Sequence, residues 1–368
     1  MRRTAFVFHE RYLWHDAGPH ASVIPAGGFV EPGPHAESPE RVRRLRSLVE
    51  VSGLGERLVP LRPRPAARDE LLRFHTPAYL DRLKELSDAG HGEAGIAAPV
   101  GPSSYEIAVL AAGGCLAAVD AVVTGAAHNA YALVRPPGHH ALPELGMGGC
   151  LLGNTALAAA HARAACGLDR VAVVDWDAHH GNGTQHAFWD DPSVLTISLH
   201  QADCFPPASG AADELGGAAA IGSNINVPLP PGSGTGAYAA AFERVVLPAL
   251  DRFRPDLVLV ASGYDSSAWD PHARLMLHSA AYRQLTRDLL EVAGRHAEGR
   301  LVVCHEGGYA PAYTPYCGLA VLEELADDRT EVEDPFLPIF EGYGYQDLQP
   351  HQESVLARLE ELLAAGGM

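Results

Sequence analysis

The residues best able to do chemistry lie in one stretch, Val171-Ala-Val-Val-Asp-Trp-Asp-Ala-His-His-Gly-Asn-Gly-Thr184. A run of β-formers ends in carboxylates and imidazoles, and the Gly-Asn-Gly that follows is a turn. Asp177 and His179 are two residues apart, so on an extended backbone their side chains point the same way, with Asp175 on the same face. Oxygen and nitrogen donors so placed suit a divalent metal such as zinc. The bland alternative is a set of polar loop residues. Burying two acids and two imidazoles at a strand end is costly, however, unless something cationic compensates them.

Further candidates lie outside that stretch. Arg135-Pro-Pro-Gly-His-His140 sets two adjacent imidazoles behind a rigid turn, and histidine is the side chain whose charge is easily set near neutral pH. Tyr309 follows Gly307-Gly308, a flexible pair that lets a phenol approach a developing oxyanion. Asp270 would be the third ligand beside Asp177 and His179, leaving a coordination position open for water and a carbonyl oxygen. His139 and His140 would transfer protons, with Asp175 and Asn182 fixing their tautomers. A carboxylate partner favours an imidazolium and a neutral amide does not, so the two rings should differ in charge. Such a set hydrolyses an amide. His200, alone at the end of another strand, reads as a satisfied structural histidine.

The elements that must position these groups alternate along the chain. Strands are expected at Thr4–Phe8, Ala130–Val134, Val171–Asp175, Val194–Leu199, Asp256–Ala261 and Leu301–Cys304, as runs apolar on both faces. Helices are expected from Ser38-Pro39 to Val51, at Tyr105–Thr124 with Gly113-Gly114 packed on a neighbour, and at Asn154–Cys166, Ala237–Phe253, His278–Ala297 and Glu353–Ala364. Arg41, Arg43, Arg44 and Arg46 read as a solvated helix face. Gly232-Ser-Gly-Thr-Gly236 has no preceding strand and no Lys, so it opens a helix rather than a phosphate loop. The expectation is an α/β fold with a mostly parallel sheet flanked by helices on both faces, and ligands binding beyond the C-terminal strand ends.

Composition narrows the partners. At 368 residues and 47% apolar content, with no linker or charge block, residues 1–368 read as one domain. A net charge of −18 excludes a basic groove for nucleic acid and suits a cationic or lysine-bearing substrate. Ala5–Phe8 is too short for a signal segment and no membrane span is evident, so a cytoplasmic protein is expected. The cysteines at 115, 150, 166, 204, 304 and 317 are far apart, without C-x-x-C, and read as free core residues.

Pro137-Gly-His-His140, Asp175-Trp-Asp-Ala-His-His-Gly-Asn182, Gly263-Tyr-Asp-Ser-Ser-Ala-Trp-Asp-Pro271 and Glu306-Gly-Gly-Tyr309 occur in the order and spacing of the zinc-dependent histone deacetylase superfamily. The chain resembles its bacterial class II-like amidohydrolases, from about Trp14-His15-Asp16 and Glu37-Ser-Pro-Glu-Arg41 to Glu324. The resemblance implies the arginase/deacetylase fold, one catalytic Zn2+ on Asp177, His179 and Asp270, and Tyr309 as transition-state donor. It makes His140 the general base and His139 its electrostatic partner. It also implies structural K+ near Asp175, Asp177, His179, Ser198 and Leu199, with a second near Phe188 and Val194. The implied substrate is an acyl-lysine or another N-acyl amine, and a homo-oligomer, dimer or tetramer, is expected.

The sequence departs from the pattern around the substrate. Gly149 stands where an aromatic residue usually walls the acyl tunnel opposite Phe205, which suggests a pocket wider than acetyl needs unless a neighbour fills it. His272-Ala273 replaces Leu-Gly and would add a polar edge, and Glu93, or more weakly Asp88, is the candidate rim acid. The apolar Val23, Ile24, Phe29 and Val30 in the Gly18–Pro34 stretch suggest an active-site rim or a subunit contact. The rival functions are acetylpolyamine hydrolysis, a two-metal ureohydrolase, and a catalytically dead binder of acylated ligands.

Overall fold

The computed structural model describes residues 2–366. Eight parallel strands form the central sheet: β1 (Thr4–Val7), β2 (Val59–Leu61), β3 (Asn129–Ala132), β4 (Val171–Asp175), β5 (Val194–Gln201), β6 (Asn224–Leu229), β7 (Leu257–Ser262) and β8 (Leu301–His305). Their order across the sheet is β6-β5-β4-β7-β8-β3-β1-β2. The alternation of side chains divides each central strand between two cores. Ala172, Val174, Val258, Val260 and Val303 face one core, and Val171, Val173, Leu257, Leu259 and Val302 face the other.

Helices cover both faces. The helices α1 (Pro39–Val51), α2 (Ser279–His296), α3 (Thr314–Ala326) and α4 (Pro350–Ala365) supply Leu45, Leu285, Val321 and Leu356 to the first core. On the other face lie the helices Ser104–Val123 and Asn154–Ala164. Ser104–Val123 is long and apolar enough to cross a membrane, but 78% of its apolar window is buried inside the protein. It packs closely because Gly113 leaves no Cβ to strike the Arg64 carbonyl, 1.8 Å from where one would stand. The stretch expected as one helix over 237–253 is instead two α segments, Thr235–Ala241 and Leu247–Phe253, joined by a π turn.

The edge strands β2 and β6 were not expected, and both contain a proline, Pro60 and Pro228. A proline removes a ladder donor and is tolerated at a sheet edge, so it masks the strand pattern where it caps the sheet. The Gly/Pro-rich N-terminal stretch forms a 3-10 turn, Glu10–Trp14, then three short strands, Pro19–Ala21, Ile24–Pro25 and Gly33–Pro34, in a sheet of their own. All six cysteines are free.

Candidate active site

Four central strands deliver polar groups just beyond their C-terminal ends. From β4, Asp177 and His179 fold back so that the Asp177 Oδ1 lies 3.1 Å from His179 Nδ1. From the turn after β7, Asp265 Oδ2 reaches the same nitrogen at 3.0 Å. These three side chains are buried and their donor atoms lie within 4.8 Å of one another. Asp265 thus joins Asp177 and His179 as a further candidate donor, in the same loop as the expected Asp270. Asp270 lies past a turn closed by Ser267 N donating to the Tyr264 carbonyl, and both its oxygens accept backbone N–H bonds, as both oxygens of Asp177 do. Asp270 Oδ2 accepts from Tyr309 N at 2.6 Å and its Oδ1 from His272 N at 2.9 Å. Asp270 thus also holds the backbone of the tyrosine, while Asp265 braces His179.

The tandem histidines lie against this cluster, their rings 3.9 Å apart. His139 Nδ1 bonds to Asp175 Oδ2 at 2.9 Å, and His140 Nδ1 to Asn182 Oδ1 at 2.8 Å. Burial disfavours charge on both rings. Around His139 the carboxylates of Asp177 and Asp175 overcome burial and raise it to about 10. Around His140 burial, cationic His139 and His179 act together and hold it well below the usual imidazole range. The amide oxygen of Asn182 can only accept from His140, which leaves Nε2 as a free base. The two rings therefore differ in charge, as their partners predict.

Tyr309 is carried by the Glu306-Gly-Gly turn after β8, with Gly307 N donating to Asp177 Oδ2 at 2.8 Å. A Cβ at Gly307 would stand 2.2 Å from Asp265 Oδ2, so only glycine lets this turn close over the donor cluster. Burial and nearby Asp177 push the Tyr309 phenol well above its ordinary range, which keeps it a neutral donor. Burial and Asp177 likewise push Asp265 up to about 6.

A cavity of about 190 Å³ opens onto the site, lined by His140, His179, Tyr309, Phe205, Gly149 and His272. Phe205 stands edge-on to His140, 5.0 Å between ring centres. The gap expected at Gly149 is narrowed by Glu37, whose Cγ lies 3.3 Å from the place a Gly149 Cβ would take; the position also has φ of +80°. His272 Nε2 is bonded to Ser22 Oγ at 3.0 Å, so the N-terminal stretch does reach the rim, where Val23 also lines the cavity. Glu93 does not line the cavity, and its carboxylate accepts from Ala98 N at 2.5 Å. Ser198 pairs in register with Asp175, beside Leu199. His200 is satisfied by Ser198 Oγ and the Gly210 carbonyl.

Several groups escaped sequence reasoning. Arg41, expected on a solvated face, is fully buried and donates to Glu37 and to the Glu306 carbonyl at 2.6 Å. Arg135 also clamps Glu37, Nε to Oε1 at 2.8 Å. Glu306 accepts from the backbone N–H of Gly138 and His139, at 2.6 and 3.1 Å, and so braces the tandem histidines. The Glu37-x-x-x-Arg41 spacing was the available signal, an i,i+4 pair at a helix start.

Comparison with known proteins adds a consistent set of relatives. The histone deacetylase domain model matches residues 35–325. A histone deacetylase-like amidohydrolase from Pseudomonas aeruginosa is 53% identical over 100% of this chain and 97% of its own. The polyamine deacetylase HDAC10 of Homo sapiens is 38% identical over 83% of this chain and 45% of its own. A solved structure, the HD domain of HDA15, superposes with a TM-score of 0.85 at 32% identity, covering 99% of each chain.

Proposed function

Since the chain belongs to the histone deacetylase family, we propose that residues 1–368 form one catalytic unit that hydrolyses an N-acyl amine with a single Zn2+ held by Asp177, His179 and Asp270, with the buried Asp265 bonded to His179. Membership makes it a deacylating hydrolase; the assignment of roles to residues is our own reading. The observation that carries it is His179 Nδ1 between two buried carboxylates, each about 3 Å away. Two acids and an imidazole so close and so dry fit a dication far better than they fit one another alone. When bound there, zinc polarises a carbonyl and makes water a nucleophile at neutral pH.

The chain's own residues do the rest. His140, neutral and with Nε2 free, takes the proton from water, and that proton is then available to the departing amine. His139, kept cationic by Asp175 and Asp177, is the electrostatic partner. The neutral Tyr309 phenol donates to the oxyanion, and Asp270 fixes that tyrosine's backbone. Asp175, Asp177, His179, Ser198 and Leu199 are proposed to hold a structural K+, with a second near Phe188 and Val194. Six free cysteines fit a reducing, cytoplasmic setting.

Acyl-lysine is the favoured substrate. Acetylpolyamine remains the second reading, supported by the charge of −18 and the likeness to a polyamine deacetylase. Turnover of acetyl-lysine peptides against acetylpolyamines decides between them. Asp177→Ala or Asp270→Ala should abolish both deacylation and tight zinc binding, and full activity in metal-free enzyme would overturn the proposal.

A further inference from the structure

Two polar atoms on the cavity wall lack partners. His35 and Glu37 both line the cavity and are buried, with 7% and 2% exposure. Neither His35 Nε2 nor Glu37 Oε2 has a hydrogen-bond partner. Their states follow from their other contacts. His35 Nδ1 accepts from Glu37 N at 3.0 Å, and burial lowers the ring to about 4, so it is neutral and its proton sits on Nε2. Glu37 Oε1 takes Arg41 Nη2 at 3.0 Å and Arg135 Nε at 2.8 Å, which keeps the group a carboxylate and leaves Oε2 an acceptor. The nearest ring nitrogen to Oε2, His15 Nε2, is 3.9 Å away, beyond hydrogen-bond reach.

One wall thus offers a buried donor and a buried acceptor two residues apart. Leaving either unmade is costly, and a group that both accepts and donates satisfies the two at once. A hydroxyl is the smallest such group on an organic chain. Its place is at the acyl end of the cavity. Glu37 packs behind Gly149, while a Cβ on neighbouring Gly148 would stand 2.6 Å from His140 Cδ2. Arg41, which holds Glu37, lies 5.6 Å over the Tyr309 ring.

We propose that the acyl group taken by this enzyme carries a hydroxyl, which accepts from His35 Nε2 and donates to Glu37 Oε2. The proposal rests on the deacylase reading above and names its substrate class: short hydroxyacyl amides. A site built to bond a substrate hydroxyl discriminates against the analogue that lacks it, because its own polar groups are then left unpaired.

The test compares kcat/KM for lysine peptides bearing acetyl, butyryl and each enantiomer of 3-hydroxybutyryl, with lactyl and propionyl as the shorter pair. One hydroxyacyl form should exceed its plain counterpart by roughly tenfold or more. In His35→Phe and in Glu37→Gln that ratio should fall towards one. A ratio taken within one variant cancels a general loss through misfolding. A parent ratio near one overturns the proposal, as water then fills the space. So does a preference that survives both substitutions. Turnover of acetyl without a hydroxyl preference sinks only this inference, whereas no turnover of any acyl-lysine or acetylpolyamine sinks the deacylase reading with it.

Discussion

The donor cluster and the cavity wall beside it are only a few side chains apart, yet they are held by different means. Asp177, Asp265 and Tyr309 hang from β4, β7 and β8, neighbouring parallel strands in the middle of the sheet, buried on both faces. Their positions are consequences of sheet geometry. His35, Glu37 and Ser22 come from an N-terminal segment whose only sheet is three strands of two or three residues, outside the main one. That segment is fixed by side chains, chiefly Arg41 and Arg135 on Glu37. A change in the first region alters the chemistry, and a change in the second alters what is accepted.

The largest expected effect separates two aspartates of one loop. Asp270→Asn should remove activity and metal together. Asp265→Asn, which changes only a carboxylate bonded to His179, should keep the zinc and lower kcat by roughly 10- to 100-fold, the scale on which groups that orient a site's working residues act. Equal zinc loss in both variants would erase the distinction. Tyr309→Phe should cost roughly 10²–10³-fold in kcat, the usual effect of deleting one oxyanion donor, again with zinc retained. An unchanged rate on an unactivated acetamide would remove the phenol from the mechanism.

The same division explains what the sequence disclosed. Strand-end positions obey period two, so Asp175, Asp177 and His179 could be placed on one face, and the tandem histidines matched to unlike partners. Beyond the strand end that rule lapses. Asp265 is three residues past β7 and Asp270 eight, both inside one irregular turn, and nothing in their spacing says that Asp265 bonds His179. Arg41 was misread because it sits in an arginine-rich helix whose other members, Arg43 and Arg44, are indeed solvated. Its burial comes from Glu37 and Glu306, residues 4 and 265 positions away. The wall at Gly149 depends on such a non-local contact too, and local pattern cannot report it.

Acid should weaken the surroundings of the site while His139 keeps its charge. Burial lowers His15 to about 3, His200 to about 3 and His75 to about 4. Each is therefore neutral when folded, whereas the unfolded ring takes a proton below about 6.5. Their contribution is fully present above that pH and is lost as pH falls toward the folded values. At pH 5 the loss approaches about 2 kcal/mol for each ring. His139, raised to about 10, stays protonated throughout this window. Thermal unfolding followed from pH 7 to 5 should show a falling Tm, and His75→Gln should flatten the slope. A melting temperature independent of pH would show that these rings are hydrated when folded.

The smallest effect on stability belongs to the rim. Phe29 is 110% exposed at the tip of the N-terminal segment, and Ile24 on the same segment is 55% exposed. Single exposed apolar residues are ordinary, but here they share a segment with Val23, which lines the cavity, and with Ser22, which bonds His272. A second copy of the chain covering this segment would bury the aromatic ring and also fix the wall that carries His35. Phe29→Ser removes no contact within the chain, so its unfolding free energy should stay within about 0.5 kcal/mol of the parent. Light scattering should nonetheless show a smaller particle, and substrate preference should loosen with it. If neither particle size nor acyl preference moves, the segment is a rim held only by its own bonds to Arg135 and His272.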